Sequence, residues 1–126
     1  MRNDTREDGF TLIELLVTMV ILGILAAIAV PVLMHVRSRG FQAAMASDLK
    51  NAVTAESAYT LSNGTPTVNV ADLTNEGYKP TTGVTPVHLK AVGTSFVACV
   101  KHQSVSNWLV YDGTTGVMTS SSSDCA

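Results

Sequence analysis

Charge is what this sequence has least of. Charged residues make up 14% of its 126 positions, and the net charge is −2. An ordinary soluble chain carries about a quarter charged residues. Without surplus base there is no electrostatic case for holding nucleic acid. Aromatic residues reach only 6%, so a stacked aromatic conduit is not indicated. Recognisable catalytic chemistry is missing too. There is no glycine-rich phosphate loop, no Gly-x-Ser-x-Gly and no carboxylate pair with a histidine partner. His35, His88 and His102 fall in separate elements. Cys99-Val100-Lys101-His102 offers one cysteine and one histidine, half a zinc site at best. Alternation along a strand puts Cys99 with Lys101 rather than with His102, so a solvated strand end is the simpler reading. The expectation is a chain that is no enzyme and holds no metal or cofactor. Cysteine occurs only twice, as Cys99 and Cys125. Two thiols in a small exported domain most often form one disulfide, the alternative being two free thiols.

One long apolar run contributes much of the charge deficit. Residues 10–36 read FTLIELLVTMVILGILAAIAVPVLMHV, with Glu14 the single ionisable group before His35. A helix needs about 20 such residues to cross a bilayer core. Strands rarely run so long, so helix is predicted despite the many Ile and Val residues. Gly23 and Pro31 are its weak points, because glycine costs about 1 kcal/mol in a helix interior and proline about 3. A bend or local unwinding is expected between them; a tolerated kink in an ordinary membrane helix is the plainer reading. Glu14 needs a partner, since a carboxylate is costly in hydrocarbon. Its bland alternatives are protonation, or snorkelling to the headgroups.

The segment before Phe10 does not resemble an ordinary secretory signal, which begins with net positive charge. Arg2 and Arg6 are outnumbered by Asp4, Glu7 and Asp8. Ala27-Ile28-Ala29 does look like a small-x-small cleavage site, and cutting there would release a soluble domain. Arg37 and Arg39 after the helix would place the carboxyl-terminal half inside by the positive-inside rule. The cysteines and the serine-rich tail argue for the outside.

Gly9-Phe10-Thr11-Leu12-Ile13-Glu14, followed by the apolar helix, resembles the start of the type IV pilins and pseudopilins. That family has a hydrophilic leader ending in glycine, then phenylalanine, then glutamate as fifth residue of the mature chain. Gly9, Phe10 and Glu14 stand at those places, and Pro31 stands where many pilins carry a proline. The match covers roughly the first 40 residues, and the leader departs from it in lacking net positive charge. The resemblance implies a prepilin peptidase that cuts between Gly9 and Phe10, N-methylation of Phe10, and a new amine that meets Glu14 of a neighbouring subunit. It also implies an assembly platform in the cytoplasmic membrane, contact with membrane lipid, and export to an extracellular bacterial filament. DNA as a partner is possible in the family and not indicated here. Gly9 has a steric reading as well, because a residue without Cβ fits a crowded peptidase cleft. Thr11 is a candidate helix cap.

The remaining sequence predicts an α+β fold: a long amino-terminal helix, half transmembrane and half amphipathic, on a small antiparallel sheet of 3–4 strands. Residues 37–62 stay helix-friendly. Phe41, Met45, Leu49, Ala52 and Val53 form an apolar stripe, with Gln42, Asp48, Lys50 and Asn51 on other positions. Gly40 is a candidate flex point. Residues 63–83 read as a connecting loop with a helical turn from Val70, closed by Gly77. Asn63-Gly64-Thr65 matches a glycosylation acceptor, a triplet frequent by chance. Strands are expected at 84–92, 94–101, 106–112 and 117–119. The divisions are therefore a cleaved leader at 1–9, a membrane and filament-core segment at 10–36, an amphipathic helix at 37–62, a loop at 63–83, and a sheet with a tied tail at 84–126. The leading functional expectation is the structural subunit of a type IV pilus, with adhesion or motility among the roles such fibres serve. The alternatives are a pseudopilin of a secretion or DNA-uptake system, and a secreted binding domain released after Ala29. No acidic calcium loop is present, since only Asp112 and Asp124 follow Glu76.

Overall fold

The computed structural model describes residues 9–125. Residues 1–8 of the expected leader, and Ala126, lie outside the described residues. The element order is α1 (Leu12–Asn63), α2 (Val70–Asn75), then strands β1 (His88–Val92), β2 (Ser95–Val100), β3 (Trp108–Asp112) and β4 (Val117–Ser121). The chain divides into two units at Val36 and Arg37.

The first unit is the opening part of α1. Its large side chains are exposed all round, from Leu12 and Ile13 through Leu25 and Ile28 to Leu33 and Val36. A helix that is apolar on every side needs lipid or other helices around it. It passes the length and composition test for a membrane span. The helix is continuous through Gly23 and Pro31.

The second unit holds the core. The four strands form one sheet in the order β1-β2-β3-β4, every neighbouring pair antiparallel. Short connections make such a meander the simplest way to pair consecutive strands. Leu89, Phe96, Ala98 and Val100 are buried on the face toward the helix, and Leu109, Tyr111 and Met118 are half-buried there. Met45, Leu49, Ala52 and Ala55 of α1, with Leu73, Tyr78 and Val87, complete the cluster. Burying a Leu or Val side chain fully contributes about 1.5–3 kcal/mol. The fold is therefore α+β, with a long helix on an open four-stranded sheet.

Several strand boundaries differ from expectation; β2 is one residue shorter at each end, and β3 starts at Trp108 and not at residue 106. β1 begins at His88 and not at residue 84, because Pro86 has no N–H for a ladder. Val84 instead makes an isolated bridge with His102. Thr85 closes the gap: its amide reaches the Lys101 carbonyl at 2.8 Å, and its hydroxyl accepts from the Lys101 amide at 3.1 Å. β4 runs on to Ser121, because Trp108 and Leu109 of β3 continue the ladder opposite Ser121 and Ser120. Gly77 closes α2 with φ 94, a conformation that side chains with Cβ disfavour.

Asp48 is a larger correction. Expected to lie off the apolar stripe, it is fully buried. Its carboxylate accepts from the Tyr78 hydroxyl at 2.8 Å and from the Thr81 amide at 2.6 Å. Burial, followed by the bond to Asp48, pushes the Tyr78 phenol up from its ordinary pKa. Glu56 is buried as well, and its Oε1 accepts from the Thr67 amide at 2.7 Å. The two acids pin the irregular segment after α1 to the helix.

Candidate functional site

The helix start is the place where charge sits in an apolar surface. Gly9 and Phe10 precede α1, both exposed, Phe10 at 90%. A Cβ at Gly9 would meet nothing within 4 Å. Nothing among the described residues therefore demands glycine there.

Thr11 and Glu14 form a reciprocal cap. The Thr11 hydroxyl accepts from the Glu14 amide at 3.3 Å. Glu14 Oε2 accepts from the Thr11 amide at 2.9 Å and from the Thr11 hydroxyl at 2.7 Å. This Thr-x-x-Glu pattern satisfies donors that a helix start leaves open. The negative carboxylate also lies at the positive end of the helix dipole. The capping role expected of Thr11 is thus joined to the acid. Both bonds fall on Oε2, so Oε1 receives no donor among the described residues. The arrangement holds a carboxylate in one orientation at the rim of an apolar cylinder.

Gly23 and Pro31 lie in the same helix, with no Cβ contact waiting at Gly23. Cys99 and Cys125 belong to the second unit, where a disulfide joins them. Cys99 lies on the sheet face away from the helix, opposite His88 in β1 and Val110 in β3. The tail returns from β4 to cover it. Asp124 Oδ2 pairs with His88 Nδ1 at 2.6 Å. Trp108 lies tilted 5.0 Å from the His88 ring, with Lys101 Nζ 5.7 Å from its centre. His102 does not share this site. It stacks on Phe41 at 4.1 Å and packs against Gly83, whose φ of +87 and lack of space both exclude a Cβ.

Sequence reasoning missed Asp48, Glu56 and the His88–Asp124 pair. The signal for the first two was position. Residues 45, 48, 49, 52, 55 and 56 fall on one helical stripe. Nothing local links His88 to Asp124, which are 36 residues apart.

Comparison with known proteins bears on the helix start and on the whole chain. A prokaryotic N-terminal methylation motif matches residues 4–30. The type IV wide pilus major component PilA4 of Thermus thermophilus is 33% identical over 133 residues, covering 99% of both chains. This chain belongs to the type IV pilin family. The type IV major pilin protein PilA of Myxococcus xanthus is 41% identical over 58 residues, covering 46% of this pilin and 26% of that protein. Both relatives are named as components of pili. The pilin is accordingly a structural subunit, and its exposed apolar helix is the part that demands partners.

Proposed function

We propose that this pilin is made as a membrane precursor, cut between Gly9 and Phe10 by a prepilin peptidase, N-methylated on Phe10 and added at an assembly platform to a surface filament. Cleavage creates a cation at Phe10, one residue before the Thr11–Glu14 cap. Packed among other apolar helices, the Glu14 carboxylate needs a charged or hydrogen-bonding partner, because an unpaired buried charge costs several kcal/mol. The Phe10 amine of an incoming subunit fits Oε1 of a docked neighbour. Such a pair fixes axial register, while the apolar surface supplies contact area. The polar tail and the outer face of the sheet then face solvent. The protein works without catalysis.

The observation that carries this reading is a single oriented carboxylate in the otherwise apolar, exposed stretch of α1 from Leu12 to Met34. Glu14→Ala tests it. The variant is expected in the membrane fraction at wild-type amount, with fibres on the cell surface reduced to few or none by electron microscopy. Fibres of normal number and length from that variant would show that Glu14 has no part in register.

A further inference from the structure

Four side chains with metal-binding donors converge where the tail meets the sheet. His88 comes from β1, Cys99 from β2, and Asp124 and Cys125 from the tail after β4. Donor atoms of His88, Cys99 and Asp124 all lie within 4.8 Å of one another. Asp124 Oδ2 is 2.6 Å from His88 Nδ1, and Asp124 Oδ1 is 3.1 Å from Cys99 Sγ. Cys125 adds the fourth donor, because its sulfur is bonded to Cys99. With the bond closed, neither sulfur is a thiolate and the set cannot act as a four-donor site. With the bond open, it offers two sulfurs, one imidazole and one carboxylate.

We propose that the pilin with Cys99 and Cys125 reduced binds a divalent zinc-class cation through Cys99 Sγ, Cys125 Sγ, His88 Nδ1 and one Asp124 oxygen. Two thiolates, one histidine and a carboxylate are a donor set that suits tetrahedral zinc. With zinc–sulfur bonds near 2.3 Å, the two sulfurs of such a site stand roughly 3.7 Å apart. The required change is therefore a local opening at the end of the tail, with His88 and Cys99 still held by the β1–β2 ladder.

A dithiol or phosphine reductant supplies two electrons, and two protons complete the thiols. On binding the cation the two thiols release two protons to the buffer, and His88 binds as neutral imidazole with its other nitrogen protonated. Two thiolates and one carboxylate against a dication leave the site at −1. Reoxidation by a disulfide-bearing exchange partner takes the two electrons from the sulfurs and expels the cation unchanged. The site thus belongs to the chain before its tail is locked, and the disulfide closes it.

The test uses the full chain in detergent micelles, reduced anaerobically and freed of reductant, with cobalt as the probe. The expected result is a 1:1 complex with tetrahedral cobalt bands and sulfur-to-cobalt charge transfer, displaced by zinc and absent while the disulfide is intact. His88→Ala and Asp124→Asn should each weaken binding at least tenfold. Equal binding by His88→Ala would reduce the site to two thiols and overturn the proposal, as would binding by the oxidised chain or no tetrahedral spectrum. If reduction alone loosens the sheet, zinc must restore its circular dichroism in the wild type and not in His88→Ala; failure to do so also overturns it.

Discussion

At the scale of single residues, three carboxylates show how one chemical group takes different jobs by position. Glu14 sits in a Thr-x-x-Glu cap that is written in the sequence, yet the acid and the threonine there read as separate features. Asp48 and Glu56 are illegible by residue type and legible by spacing, because both lie on the stripe of Met45, Leu49 and Ala52. Glu56 has a pH signature. Burial raises its pKa first, the Thr67 amide opposes this, and the charge of Asp72 adds to the rise. The folded state therefore holds this proton at pH values where the unfolded chain has lost it. Its stabilising contribution is full below the ordinary carboxylate pKa and is lost as pH rises through the raised folded value. Glu56→Gln should flatten that decline in thermal unfolding from mildly acidic to mildly basic pH, while keeping an acceptor for Thr67. Glu56→Ala strands the Thr67 amide and should cost about 1–3 kcal/mol at any pH. An unchanged pH slope in Glu56→Gln would show that the decline arises elsewhere.

At the scale of elements, the long helix and the four strands are readable from apolar runs, stripes and short β-branched stretches bounded by turn signals. The apolar run and the Met45–Ala52 stripe announce α1, and alternation of Val87, Leu89 and Ala91 against His88 and Lys90 announces the first strand. The start of β1 departs from this pattern because alternation begins before Pro86, while pairing needs the N–H that Pro86 lacks. Gly23 and Pro31 illustrate the opposite limit. In the isolated subunit α1 runs through both. The loss of the hydrogen bond that proline cannot donate leaves residues 23–31 the weakest stretch of the helix. The filament, where close neighbours and axial tension act on it, is where melting is expected. Cryo-electron microscopy of the fibre should show this stretch extended or unwound. An unbroken helix there would end the idea that it lengthens the fibre.

At the scale of the whole molecule, the two units divide the labour. One is an apolar helix with no core of its own, and the other is a small α+β unit whose tail is tied back by a bond between Cys99 and Cys125. A loop of 26 residues closed in this way contributes about 3 kcal/mol by the chain-entropy account, a sizeable share for so small a core. This division is legible in the sequence, since residues 10–36 carry a single carboxylate, Glu14, in an unbroken apolar run. The tail cluster of His88, Cys99, Asp124 and Cys125 is not legible there, because it joins three elements that only the folded sheet brings together. The central claim is that the bond four residues before Glu14 is cut, turning a membrane-embedded acid into an assembly contact. Mass spectrometry of the amino terminus in sheared surface filaments tests it most directly. The account predicts a chain beginning at N-methylated Phe10; a chain that retains Gly9, or one that begins at Val30, would contradict it.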